Sequence, residues 1–157
     1  MIEIHPAGPA DAAAIAATVN RAFEVEAFFV EGPRVTVEEI ARRMITGRFL
    51  VAGDGGTLVG CVYLEPRPPA RAYVGLLAVE PSRAGEGIGR RLMEAAEAAA
   101  RVAGAVAVDI TVVDLRTELF PFYAALGYTR CGEAPFAGAT KRPCRFVLMS
   151  KTIGSGR

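Results

Sequence analysis

The feature that most constrains this chain is a glycine turn wedged between an apolar run and a helix-period segment. Val74 to Val79 is a short apolar run, the pattern of a strand covered on both faces. Pro81 stops it, because proline has no N–H for a ladder. Gly85, Gly87 and Gly89 then alternate with Glu86 and Ile88. From Ile88 the apolar spacing is helical, through Leu92, Ala95, Ala99 and Val102. Arg90/Glu94 and Glu97/Arg101 form i,i+4 pairs assigned to the outer face, and Gly104 is the C-terminal stop. A glycine turn that opens a helix aims free N–H groups forward, and the helix dipole adds positive charge there. The stretch is a cradle for phosphate.

Two familiar phosphate loops do not fit it. A P-loop needs Lys and Ser or Thr after its last glycine, whereas Gly89 is followed by Arg90 and Arg91. A dinucleotide fingerprint needs G-x-G-x-x-G in the first βα unit of a long domain. Here the third glycine comes one residue early, and the motif lies mid-chain.

The 157 residues suit one domain, 1–157, with a substantial core. A net charge of +1 argues against a nucleic-acid surface or a polybasic membrane patch. No apolar run approaches the ~20 residues that span a bilayer, and Met1 to Pro6 lacks the basic and apolar regions of a signal peptide. Cys61, Cys131 and Cys144 fall in predicted strands at no metal spacing. They read as buried free thiols in a reducing cytoplasm, with no metal. His5, the sole histidine, sits beside a proline in a first strand and is a poor triad member.

In chain order, Ile2 and Ile4 mark a first strand. Asp11 caps a helix to about Phe23, and Glu24 to Arg34 is a loop rich in Phe and Glu. Thr36 starts a helix to Ile45, which Gly47 ends. Arg48 to Ala52 and Thr57 to Glu65 form a hairpin across Asp54-Gly55-Gly56. Pro66 to Ala70 leads into the cradle strand and its helix. Ala105 to Val113 is a strand, and Asp114 to Gly127 holds a helix. Tyr128 to Cys131 is a strand, Glu133 to Pro143 a loop, Cys144 to Lys151 the last strand, and the tail from Ile153 is expected to fray.

Phe122-Tyr123-Ala124-Ala125-Leu126-Gly127-Tyr128 is the second informative segment. A plain amphipathic helix accounts for Phe122 and Leu126 but needs no tyrosine at 123. Val79-x-Pro81 with Gly85-Glu86-Gly87-Ile88-Gly89-Arg90-Arg91-Leu92 resembles the V-x-P-x-x-[QR]-G-x-G-I-G-x-x-L motif of the GCN5-related N-acetyltransferases, the GNAT superfamily. The second segment resembles that family's F-Y-x-x-L-G-[FY], and the two lie about 35 residues apart in the family's order. Leu115 to Tyr123 and Lys141-Arg142-Pro143-Cys144 are similar to one GNAT subgroup, which implies no particular acceptor.

The resemblance implies an α/β (α+β) GNAT fold, a mixed central sheet of about six to seven strands splayed at the acetyl-CoA site, with about four helices. It implies acetyl-CoA as co-substrate, with pantetheine against the backbone of Leu77, Ala78 and Val79 and pyrophosphate on the N–H groups of residues 85 to 90. Those residues are Gly85, Glu86, Gly87, Ile88, Gly89 and Arg90. A backbone N–H near Leu77 would polarise the thioester carbonyl. Ala84 stands where the family has Gln or Arg, so that side-chain contact is lost unless Arg83 reaches round. Tyr123 takes the place of the acid that protonates the departing thiolate. Arg116 stands where many relatives have Asn, and pairs with a phosphate instead. Base candidates are Glu65, Tyr73, Glu80 or water.

The acceptor implied is a primary amine of a small molecule, bordered by Glu24 to Glu31, whose Phe28, Phe29, Glu24, Glu26 and Glu31 suit a cation; a solvated acidic loop with two core phenylalanines accounts for them slightly better. A homodimer is compatible with all of this. Two other classes stay open: a non-catalytic acyl-CoA-binding regulatory module, which Tyr123 disfavours, and a small nucleotide-binding α/β protein, disfavoured by the missing Lys-Ser/Thr.

Overall fold

The computed structural model describes residues 1–154. Hydrophobic period decides the elements, which run β1 Ile2–Pro6, α1 Ala12–Ala22, α2 Val37–Thr46, β2 Arg48–Asp54, β3 Thr57–Arg67, β4 Arg71–Val79, α3 Ile88–Val102, β5 Ala107–Val113, α4 Leu119–Ala125, β6 Thr129–Pro135 and β7 Arg145–Thr152. The strands form one seven-stranded sheet ordered β1-β2-β3-β4-β5-β7-β6. Every neighbouring pair is antiparallel except β4–β5, which α3 joins in parallel. The mixed sheet and its four α-helices match the expected architecture.

Strand alternation gives the sheet two buried faces. Val62, Leu64, Ala72 and Val74 point into a cluster with Ile88, Leu92 and Met93 of α3. Their neighbours Cys61, Tyr63 and Ala78 point into a second cluster with Ile15 and Val19 of α1 and Ile40 of α2. Thr36 caps α2, accepting from Glu39 N at 3.1 Å. No helix among the described residues is long and apolar enough to cross a membrane.

Several boundaries differ from expectation. Asp11 ends a 3-10 turn over Pro9–Asp11, and its carboxylate accepts from Gly8 N at 2.8 Å instead of capping α1. A second 3-10 turn, Phe23–Glu26, opens the presumed loop. β3 runs through Pro66 to Arg67, because its pairing with β2 ends at Leu64 and no ladder donor is needed on that side. The fourth helix shortens to Leu119–Ala125, which places Pro121 in its first turn, where a missing N–H costs nothing. β6 lengthens to Pro135, since β7 offers it a partner as far as Arg145.

Four side-chain assignments change as well. The buried stripe of α3 is Ile88, Leu92, Met93, Ala96 and Ala100, while Val102 is exposed. Glu97 faces inward: Tyr128 Oη donates to its Oε2 and Lys151 Nζ to its Oε1, both at 2.8 Å. Arg101 donates to the carbonyl of Ile153, which is itself buried and donates its N–H to Val106, so no fraying starts there. Residues 155–157 of the expected tail lie outside the described residues. Of the three thiols only Cys61 is buried; Cys131 lies exposed on the edge strand β6, and Cys144 is half-buried just before β7.

Candidate active site

The two parallel strands hold together only briefly. β4 and β5 pair at Arg71–Ala107, Ala72–Val108 and Tyr73–Asp109, and no further. From Val74 onward the strands part, and the backbone of β4 on that side has no strand partner. On its other side β4 carries a register shift against β3, between the pairs Gly75–Tyr63 and Ala78–Cys61. Leu76 sits inside that shift with φ +50°, the one non-glycine residue with positive φ among the described residues. Such a bulge re-aims neighbouring peptide groups and bends the strand. The gap is a cleft of about 1030 Å³ lined by β4 from Tyr73 to Val79, β5 from Asp109 to Val113, and the side chains of α4.

At one mouth of the cleft lies the glycine turn. Gly85 and Gly87 hold φ +84° and +79°, and a Cβ on either would meet nothing within 4 Å. The backbone here is open, and Gly87 caps α3 without any side-chain hydrogen bond. The first intrahelical donor beyond the cap is Arg91, which donates to Gly87 O at 3.1 Å. The N–H groups at the start of α3 are thus left for an outside acceptor, which fits an anion. Ala84 and Gly89 line the same cleft. Arg83 does not reach round: its guanidinium is taken by Glu86 and, at 3.0 Å, by Asp54. Arg90 makes its expected contact with Glu94, at 3.5 Å.

Tyr123 enters the gap from α4, edge-on to Phe122 and to Tyr128. Burial pushes its phenol up to about 12, against the pull of the Arg116 charge. Tyr73 lines the cleft where the strands part, its hydroxyl 3.2 Å from Thr111 Oγ1.

The other proposed bases are occupied. Glu80 accepts from Thr18 and, through a two-pronged contact, from Arg21. The hydrogen bonds from Arg21 hold its carboxyl below the usual range, although burial opposes them. Glu65 accepts from Tyr63 and Arg67. Its carboxyl is also held low; desolvation works against the shift, and the Arg67 and Tyr63 hydrogen bonds outweigh it. Neither glutamate lines the cleft.

Arg116 lines the cleft with its guanidinium already engaged: Nη1 donates to Glu26 and Nε to Glu118, both at 2.8 Å. It ties the turn before α4 to the segment after α1. Glu26 is buried, with one carboxylate oxygen taken by Arg116 and the other without a hydrogen-bond partner, so it is not the exposed acid that the loop's composition suggests. Phe29 is in the core, and Phe28 is exposed beneath Arg142. The arginines Arg34, Arg43 and Arg67 also line this end. No local pattern in the sequence marks them, because arginine carries no periodic signal; the proximity of Arg34 to Phe23 and Glu26 exists only in the fold.

A sheet split between parallel strands, with an uncapped helix start at one mouth and a phenol in the gap, is built to hold an extended phosphate-bearing thioester. The Acetyltransferase (GNAT) family matches residues 17–128, and the chain belongs to this family. A search of curated proteins finds no match. Among solved structures, the chain is similar to yncA of Salmonella typhimurium, determined with its cofactor acetyl-CoA. That match has 21% identity and a TM-score of 0.79, and covers 99% of this chain and 95% of that one. It is also similar to an aminoglycoside 6′-N-acetyltransferase complexed with coenzyme A, with 21% identity, a TM-score of 0.78 and 98% of both chains covered. The ribosomal-protein-S18-alanine N-acetyltransferase of Escherichia coli matches at 16% identity and a TM-score of 0.78, over 99% of this chain and 96% of that one. At these identities the likeness speaks for the fold.

Proposed function

We propose that this protein moves an acetyl group from acetyl-CoA to a primary amine of a small acceptor, by direct attack in a ternary complex. The whole chain acts as one such domain in the reducing cytoplasm. The observation that carries this reading is the joining of the open glycine turn and the Tyr123 phenol by one continuous cleft. The N–H groups of residues 85 to 90 hold the pyrophosphate of CoA, and Leu77, Ala78 and Val79 hold its pantetheine. The acceptor enters from the side of Tyr73 and Thr111.

In the reaction, the amine nitrogen bonds to the thioester carbonyl carbon and the C–S bond breaks. A β4 backbone N–H near Leu77 carries the oxyanion. Tyr123 gives its proton to the leaving thiolate, which ends as free thiol, and takes a proton back from solvent. The amine loses its proton to solvent in the open cleft, along the paired hydroxyls of Tyr73 and Thr111. Glu65 and Glu80 take no part: neither lines the cleft, and hydrogen bonds from Arg67 and Arg21 hold their carboxyls low, which makes them weak bases.

The test is a panel of amines, amino acids, polyamines and aminoglycosides incubated with acetyl-CoA, with thiol release as the readout and a CoA melting shift alongside. Amine-dependent thiol release is expected. If millimolar CoA leaves the melting temperature unmoved, the reading is wrong. Binding of CoA without turnover of any amine would favour the regulatory module.

A further inference from the structure

The acceptor end of the cleft is built from arginines laid on aromatic rings. Arg34 lies over Phe23 at 5.3 Å and Phe136 at 5.8 Å, Arg43 over Tyr63 at 5.1 Å, and Arg67 over Tyr73 at 4.9 Å. A guanidinium stacked this way keeps its N–H edge fixed and free for an acceptor in its plane. Arg67 spends that edge on Glu65, whereas Arg34 and Arg43 make no side-chain hydrogen bond among the described residues.

The carboxylates that line this end are Glu26, Glu39 and Asp109. Asp109 is closed by a forked contact from Arg71, at 2.8 and 2.6 Å. Glu26 is closed by Arg116, and its other oxygen lies 3.6 Å from Arg34 Nε, beyond hydrogen-bond reach. Among the described residues, Arg34 Nε and that oxygen are the two buried side-chain polar atoms left without a hydrogen-bond partner. One buried carboxylate thus faces two arginines, and Arg34 Nε, in ion-pair range of Glu26, still lacks a hydrogen-bond acceptor. Buried charges without hydrogen bonds are costly, so an anionic group that supplied them would bind with that much more gain.

We propose that the acceptor amine carries a carboxylate, and that Arg34, with Arg43 as the second cation of the same cleft, is the residue that recognises it. This rests on the acetyltransferase reading and names its substrate class. The charge balance runs opposite to the cationic amine that the acidic loop suggested. An amino acid, bearing an amine and a carboxylate a few bonds apart, has the required chemistry. A phosphate-bearing amine has related chemistry, and the experiment separates the two.

The test uses matched pairs of amines: L-phenylalanine with phenethylamine, L-leucine with isoamylamine, and O-phosphoethanolamine with ethanolamine. Each is titrated calorimetrically into the CoA-loaded protein, and each is assayed for thiol release. The carboxylate member of a pair is expected to bind at least tenfold more tightly than its partner. Arg34→Gln should erase that difference while leaving the CoA melting shift unchanged, and Arg43→Gln should reduce it. Arg34→Lys, which keeps the charge, covers the case in which the glutamine variant does not fold. Equal or tighter binding of the neutral-tailed amines, no binding of either carboxylate amine, or an Arg34 variant that keeps the preference overturns the proposal. So does a preference confined to phosphoethanolamine. A lost CoA melting shift in the wild type would instead bring down the acetyltransferase reading itself.

Discussion

Arg116 and Glu26, 90 residues apart, meet at 2.8 Å beside the cleft, with 12% and 3% of their side chains exposed. This ion pair joins the turn before α4 to the turn that follows α1. Removing one partner of a buried pair strands the other charge. Glu26→Ala is therefore expected to lower stability by about 3 kcal/mol, read as a shift in urea midpoint at unchanged slope. Arg116 keeps its exposed contact with Glu118, so a loss below about 1 kcal/mol would mean the pair is held by solvent.

The glycine turn can be tested by filling it. Gly87→Glu adds a side chain and a negative charge at a left-handed position that faces open space. At 100 times the Kd, a ligand adds about 2.7 kcal/mol of stability to the wild type. The variant should show no CoA-dependent melting shift; normal CoA binding by Gly87→Glu would mean the phosphates sit elsewhere.

Tyr123→Phe keeps the ring against Phe122 and Tyr128 and removes only the hydroxyl. Loss of a positioned acid slows turnover by roughly 10²- to 10⁴-fold, with CoA binding unchanged. Because burial pushes this phenol up to about 12, it stays protonated across the neutral and mildly alkaline range. The wild type should show no Tyr123-dependent fall in kcat below pH ~10. A kcat for the variant within twofold of wild type, with chemistry limiting, would leave Tyr123 a packing group.

Glu80 is held by Arg21 and Thr18, so Glu80→Gln should leave kcat nearly unchanged and cost about 1 kcal/mol of stability. The hydrogen bonds from Arg21 keep its folded pKa below the unfolded value. That contribution is present above about pH 4.3 and is lost as pH falls through the folded pKa. The acid limb of the stability curve should therefore flatten in Glu80→Gln, as chemical denaturation at stepped pH would report. A collapse of kcat would restore Glu80 as a base.

The three thiols should separate by reactivity. Cys61 is fully buried and its thiol is pushed up to about 12 by desolvation, so it should react with a disulfide reagent only after unfolding. Cys131, exposed on β6, should react first. Two fast-reacting thiols in the native protein would place Cys144 at the surface as well.

The cleft's donor end was legible before folding because its signals are local. A glycine turn between an apolar run and a helical period needs only neighbouring residues to be read, and so does the Phe122 to Tyr128 segment. The order of strands and helices followed from period alone. Tertiary structure decided what depends on distant partners. In α3, alanines at 95, 96, 99 and 100 serve either face equally, so their spacing could not set the rotation; Met93 packs into the core, and Tyr128 and Lys151 draw Glu97 inward. Ile153 looked like tail until Val106 and Arg101 held it. Glu26 read as an exposed acid of a loop, and only the return of the chain at Arg116 turned it into a buried counter-ion and left Arg34 without a hydrogen-bond partner. Charge pairing is a property of separations in space, and a one-dimensional string carries it only where the partners lie within a turn of each other.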